Sequence, residues 1–299
     1  MYKAEIRNSK IKREAILSDA KGESYVIIDL DHGARVRDYT CKKISIISGL
    51  DDSVHNEGYE SAILFPFANR IEKGKYVYKN KTFQLVCNEV QNHNAIHGLV
   101  HDKPFEIINT SIFKESSSIE LSYTERTGQD GFPFQYTLTL RYELSSDALS
   151  LTLKVKNEDE HAFPYTMGWH PYFNSSNLAQ SQLLFSAHKE FVNNEMGIPI
   201  TSIEFTRNMP FKLDQIELDH AFALDSDKVN FYTPEYQLTI NGFDDEDNYL
   251  QVFTPKSPGK IAIEPMTGIS NSFNNKIGLK ILKPNDEIQK EWILKLKIL

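Results

Sequence analysis

Cysteine is nearly absent from this chain, which has only Cys41 and Cys87. A disulfide-stapled fold needs more, so an apolar core must hold this one together. Two thiols allow one bridge or two reduced side chains, and the second arrangement suits a reducing compartment. Long apolar runs are missing too. None approaches the roughly 20 residues of a membrane-spanning helix. The opening Met1-Tyr-Lys-Ala-Glu-Ile-Arg7 has no apolar signal core and no small-residue cleavage site. These features lead us to expect a cytoplasmic protein with no membrane partner. Positive charge is the third shortage. Against 41 Asp and Glu there are 33 Lys and Arg, a net charge of −8, with no basic stripe. Nucleic acid is therefore not an expected partner, and a neutral ligand is left open.

Convincing helical periodicity is also scarce. What repeats instead is the short alternating segment bounded by turn residues. Strands are expected over 23–30, 42–48, 118–124, 135–144, 148–157, 260–263, 278–282 and 291–298, with a hairpin over 76–85 turning near Lys79-Asn80-Lys81. The segments 135–144 and 148–157 read as a long antiparallel pair, and 235–241 with 249–254 as another around the acidic turn 244–248. That turn lacks the glycine and distal glutamate of an EF-hand loop, so it reads as a solvated hairpin tip rather than a calcium site. The Ser/Asn-rich stretch 174–181 reads as a surface loop. No repeat or low-complexity linker divides the 299 residues, a length that one all-β domain can reach. The expected fold is all-β, a large antiparallel β-sandwich in a single domain over 1–299.

Five places carry residues suited to chemistry. In Tyr165-Thr-Met-Gly-Trp-His-Pro-Tyr-Phe173, His170 is a proton-transfer candidate. Trp169 beside it offers a face on which a sugar could pack. The alternative is a satisfied core histidine among aromatics. In Lys260-Ile-Ala-Ile-Glu-Pro-Met-Thr-Gly268, Glu264 closes an apolar run. Burial would raise its pKa and suit it to act as a base near neutrality. It could instead turn outward at the strand end. Asn69 and Arg70 stand between an apolar run and a strand. The guanidinium fork could hold hydroxyl oxygens or a carboxylate, or simply pair with Glu72. Histidines 93, 97 and 101 are four apart, which suits a metal only on a helix. Asn94 and Gly98 make a helix unfavourable there, and in extended chain residues four apart lie about 13 Å from one another. No metal is expected, and His97 is expected to point inward as a hydrogen-bond donor. Asp219, before the apolar run 221–224, is a further candidate, with a turn or helix-cap aspartate as the alternative.

Taken together, Asn69-Arg70-Ile71, Ala95-Ile-His97-Gly98, Trp169-His170-Pro-Tyr-Phe173, Leu218-Asp219 and Ile263-Glu264-Pro-Met-Thr-Gly268 resemble the aldose 1-epimerase (galactose mutarotase) family. They occur in the family's order and at similar distances. The resemblance implies a β-supersandwich that interconverts the anomers of a free aldose, without cofactor or metal, as a monomer or homodimer. Position by position it implies Glu264 as general base, His170 as general acid, Arg70 and His97 as holders of sugar oxygens, and Asp219 as a hydroxyl ligand. The acid and base are expected on opposite sides of the sugar. Stacking of Trp169 on the ring is a separate expectation, drawn from its place beside His170.

The sequence departs from the family's best-studied members in two places. They have a Thr/Asn-rich lead and a Thr after the histidine, where this chain has Gly-Trp-His-Pro-Tyr-Phe. The His97 motif lacks their double glycine. The resemblance is therefore to a divergent bacterial branch, and the sugar is left open. Alternative readings are a non-catalytic carbohydrate-binding protein, a glycosidase using Glu264 and Asp219 as its carboxylate pair, and a sugar-6-phosphate mutarotase drawing on Lys73, Lys75 or Lys103.

Overall fold

The computed structural model describes residues 1–9, 12–49, 59–214, 217–243, 248–256 and 258–299. Period-two alternation builds most of it. Tyr136–Ser145 and Ala148–Asn157 bury every second residue, so that Leu138, Leu140, Tyr142, Leu151, Leu153 and Val155 point one way. Each fully buried leucine contributes roughly 1.5–3 kcal/mol relative to exposure. The two strands pair antiparallel from Tyr136–Asn157 to Leu144–Leu149, as expected. Ala148–Asn157 then pairs with the last strand, Glu287–Ile298. These three lie within a nine-stranded sheet. An eight-stranded sheet and an N-terminal five-stranded meander complete the main layers, and residues of all three meet in one buried apolar cluster. The result is a large antiparallel β-sandwich, as expected.

Lys75–Tyr78 and Lys81–Gln84 form the expected hairpin, with both Lys79 and Asn80 at positive φ. That is the geometry of a two-residue hairpin turn whose twist matches its strands. The thiols of Cys41 and Cys87 are both free. Among the described residues the single α-helix is Ser272–Asn275, and no helix is long and apolar enough to cross a membrane.

Two expectations are corrected. Tyr236–Asn241 and Tyr249–Phe253 are not partners. The first pairs with Lys228–Tyr232 and Glu287–Ile298, the second with Asp219–Leu224 and Lys260–Met266. Alternation identifies a half-buried strand but not the sheet it joins, and here the chain crosses from one sheet to the other. Residues 244–247, where an acidic hairpin tip was expected, lie outside the described residues. The stretch 174–181 is not simply a surface loop. Ser175 and Ser181 are buried, their hydroxyls 2.9 Å apart, and Ser181 Oγ donates to the Asn177 carbonyl at 2.9 Å. Mutual hydrogen bonding lets these polar groups leave water.

The eight-stranded sheet positions the site. Its strand Lys260–Met266 is buried from Ile261 onward, because both of its faces are covered. Such a strand reads as a continuous apolar run, and Glu264 is the exception in it. Directly paired residues of an antiparallel sheet share a face. Asp219 pairs with Phe253, Phe253 with Ala262, and Ala262 with Tyr172. The next row on that face is Ala221, Gln251 and Glu264. The alternate residues Phe222, Leu250, Val252, Ile261 and Ile263 point into the main core. Polar and small side chains thus gather on one face of the sheet.

Candidate active site

His170 stands in a break in that sheet. Gly168–Trp169 and Tyr172–Asn174 both pair with Lys260–Met266, through Gly168–Met266 and Tyr172–Ala262. Counting inward from either pair sets His170 opposite Glu264. Pro171 has no N–H to give the ladder, which parts the two short strands. The His170 backbone is fixed from the other side, its carbonyl accepting from Ser61 N–H at 2.7 Å and its N–H donating to the Ala62 carbonyl at 3.0 Å. The Met-Thr-Gly sequence after Glu264 has a supporting role. Thr267 Oγ1 accepts from Met167 N–H at 2.8 Å, and Thr267 N–H donates to the Met167 carbonyl at 2.8 Å.

Register and backbone together bring His170 Nε2 to 3.5 Å from Glu264 Oε1, both side chains being almost wholly buried. His170 Nδ1 and Glu264 Oε2 have no hydrogen-bond partner. Burial pushes the His170 pKa down to about 3, and Arg70 adds to the effect. Burial pushes Glu264 well up, helped by the charge of Asp219 and opposed by Arg70. Burial thus favours the pair in its uncharged form, a carboxylic acid beside a neutral imidazole. It is isoelectronic with a carboxylate beside an imidazolium, one proton transfer away. The acid and base expected on opposite sides of a sugar therefore stand side by side, because adjoining strands of one sheet carry them.

Arg70 and His97 come from a second construction, the short pairing of Arg70–Ile71 with Ala95–Ile96. The Asn69 carbonyl accepts from His97 N–H at 2.9 Å, and both residues have positive φ. Gly98 follows at φ +75°, and a Cβ there would lie 2.3 Å from the Phe65 carbonyl oxygen, so only glycine lets this turn press against the 65–66 segment. The His97 ring is buried between Tyr59, at 4.8 Å, and His170, at 4.7 Å edge-on. Its Nδ1 has no partner, so the inward-pointing ring has a free polar atom rather than a completed hydrogen bond. Burial holds its pKa well below the ordinary value, with the positive charge of Arg70 acting the same way. Histidines 93, 97 and 101 do not converge. Among the described residues no three His, Cys, Asp or Glu side chains are grouped as a metal would require.

Arg70 does not pair with Glu72. Its Nε donates to both Glu89 oxygens, at 3.0 and 3.2 Å, and its Nη1 donates to Asn69 Oδ1 at 3.3 Å. Asn92 and Asn94 also donate to Glu89, at 3.1 and 2.8 Å. Gly197 closes the other side, where a Cβ would lie 2.6 Å from the guanidinium. Asp219 opens its strand rather than capping a turn. It lies 3.9 Å from Arg70 Nη1, and its Oδ1 accepts from Gln251 Nε2 at 2.6 Å.

Asn69, Arg70, His97, His170, Asp219 and Glu264 thus line one cavity of about 520 Å³. Trp169 does not join them. It is fully buried in the core and is not part of the cavity wall, because its neighbour His170 takes the opposite face of the chain. The aromatic ring beside His170 belongs to Tyr172, stacked at 5.0 Å and 8°. Tyr59 and Phe253 also line the cavity. Sequence reasoning assigned no role to Tyr172, Glu89 or Gln251. Gln251 had a signal, a lone amide within the apolar strand Tyr249–Phe253, whereas Glu89 sits in polar surroundings that mark nothing out.

Comparison with known proteins bears on the family and the fold. A family model described as aldose 1-epimerase matches residues 16–295. The uncharacterized protein YihR of Escherichia coli K12 is 26% identical over 235 residues, 74% of each chain. The galactose mutarotase of Bos taurus is 24% identical over 245 residues, 75% of this chain and 68% of its own. A galactose mutarotase-like protein from Clostridium acetobutylicum superposes with a TM-score of 0.88 at 20% identity, over 100% of this chain and 99% of that one. This last likeness speaks for the fold.

Proposed function

The chain belongs to the aldose 1-epimerase family, and from that premise we propose that it interconverts the α and β anomers of a free aldose by acid–base ring opening and reclosure. The observation that carries the reading is His170 Nε2 at 3.5 Å from Glu264 Oε1, in the wall of a cavity of about 520 Å³. The ring oxygen and the anomeric oxygen of a pyranose are bonded to one carbon. Two proton-transfer groups side by side suit them better than two groups on opposite faces.

In the reactive form Glu264 is a carboxylate and His170 an imidazolium, reached from the neutral pair by one proton transfer. Sugar hydroxyls supply the polar surroundings that favour this charged form, and Arg70 favours its carboxylate. Glu264 takes the proton of the anomeric hydroxyl while His170 gives one to the ring oxygen. The bond from C1 to the ring oxygen breaks as C1 becomes an aldehyde carbonyl. The carbonyl turns about C1–C2. His170 then takes back the hydroxyl proton as that oxygen attacks the other face, and Glu264 returns its proton to the anomeric oxygen. Each positioned group contributes roughly 10²–10⁴-fold. His97, Arg70, Asn69 and Asp219 hold the sugar during the rotation, with the Tyr172 ring in the place first considered for Trp169.

Two alternatives have less support. A binding module has no use for two buried groups whose protonation is this strongly perturbed. A sugar phosphate would need cations, yet Lys73, Lys75 and Lys103 do not line the cavity, and Arg70 already holds Glu89. The test is polarimetry of freshly dissolved α-glucose and α-galactose. The expected result is approach to equilibrium rotation faster than buffer alone, lost in Glu264→Gln and in His170→Asn. Binding of either sugar without faster mutarotation would overturn the reading.

A further inference from the structure

A second cavity, of about 480 Å³, adjoins the first, and the two share Arg70, Asn92 and Asp219 as common walls. We infer that this second cavity is a subsite for a glycosyl unit, so that the substrate class is a reducing disaccharide or longer oligosaccharide whose free hemiacetal enters the first cavity. The inference rests on the mutarotase reading and extends it.

Three observations carry it. The first is the partition. Arg70 Nη1 and Asp219 Oδ2, 3.9 Å apart, form a narrow divide with room for chain on both sides, since each side chain borders both cavities. The second is chemistry. Asn193 and Asn194 offer amides, Glu195 offers acceptors, His220 offers its Nε2–H because its Nδ1 already accepts from Asp219 N–H, and Val192 and Ile203 offer an apolar patch. Amides with carboxylates beside an apolar face match a sugar ring, which has hydroxyls at its edge and C–H groups on its faces. Asn193 Oδ1 is buried without a hydrogen-bond partner, an acceptor left for a hydroxyl. The third is charge. Glu190, Glu195 and Asp219 border the cavity against Arg70 alone among Lys and Arg of the described residues, and Arg70 is held by Glu89. Arg207, close by, has both guanidinium arms on Glu190. Among the described residues no Lys or Arg lining this cavity is free for a phosphate or sulfonate, so a neutral polyol is the fitting occupant.

The experiment compares kcat/KM for mutarotation of glucose and galactose with that for maltose, isomaltose, lactose and glucose 6-phosphate, using the wild type and Ile203→Trp. Ile203 is exposed on the strand Pro199–Glu204, so an indole there fills the second cavity without repacking the core. The expected result is at least one disaccharide with a kcat/KM tenfold or more above that of its own reducing-end monosaccharide. In Ile203→Trp that ratio should fall tenfold, with the monosaccharide rate reporting that the variant is folded. Monosaccharides turned over as well as or better than every disaccharide would overturn the inference and leave the mutarotase reading standing. So would an unchanged ratio in the variant, or a preference for the phosphate. No turnover of any sugar would overturn the mutarotase reading itself, and the inference with it.

Discussion

Replacing Glu264 by Gln should change how stability depends on pH, in a direction fixed by burial of the pair. Glu264 is raised above its ordinary 4.5, so its contribution is full below that value and is lost as pH rises. His170 is lowered from 6.5 to about 3, so its contribution is full above 6.5 and is lost as pH falls toward 3. Each proton of difference between folded and unfolded chains tilts stability by about 1.4 kcal/mol per pH unit. Between 4.5 and 6.5 the two tilts oppose and cancel. Above 6.5 only the Glu264 tilt is left, so stability falls with pH until Glu264 ionises in the folded chain. Below 4.5 the unfolded chain holds two protons against one, so stability falls with acid. Glu264→Gln removes the alkaline tilt. Relative to the wild type, its stability should rise with pH above 4.5, at up to about 1.4 kcal/mol per pH unit, until Glu264 ionises in the folded wild type. Urea unfolding at each pH, followed by fluorescence of buried Trp169 and Trp292, measures this difference. A wild-type-minus-variant difference that stays flat over that range would refute a protonated Glu264 in the empty cavity.

Other substitutions probe the supports. Gly197→Ala places a methyl within reach of the Arg70 guanidinium at φ +72°. It should cost about 1 kcal/mol in urea unfolding and lower kcat/KM through Arg70. Glu89→Gln removes the charge from the acceptor of Arg70 Nε. Loss of charge-assisted hydrogen bonds worth roughly 1.5–3 kcal/mol should lower kcat/KM by about tenfold or more, read in the same polarimetric assay. Leu153→Ala opens a hole between fully buried neighbours, and a loss of about 2–5 kcal/mol in unfolding free energy is expected, with kcat unchanged in the protein that remains folded.

The parts of the fold that could be read from sequence are those where one face is wet and the other dry. Ala148–Asn157 alternates perfectly, and its boundaries were legible residue for residue. Lys3–Asn8 and Pro199–Glu204 were not, because strands exposed along most of their length have little alternation to read. Partnership was less legible than existence, as Tyr236–Asn241 and Tyr249–Phe253 illustrate, since pairing depends on contacts far apart in the chain. At the site, Glu264 stood out as a charge within a buried run, and His170 and Arg70 through their motifs. The supports did not. Glu89 is an ordinary acid in a polar loop until the fold sets Arg70 against it, and Trp169 looked like a sugar platform until the alternation of a strand turned it inward.

The central claim is that His170 and Glu264 move protons together at one anomeric centre. Exchange spectroscopy by proton NMR tests it most directly, because it reads α-to-β interconversion of an aldose at equilibrium without any coupled step. With wild-type protein, exchange cross-peaks between the two anomeric protons should appear at mixing times where buffer gives none. In His170→Asn and Glu264→Gln, both still folded, they should fall back to the buffer level. Cross-peaks of wild-type intensity in either variant would contradict the account.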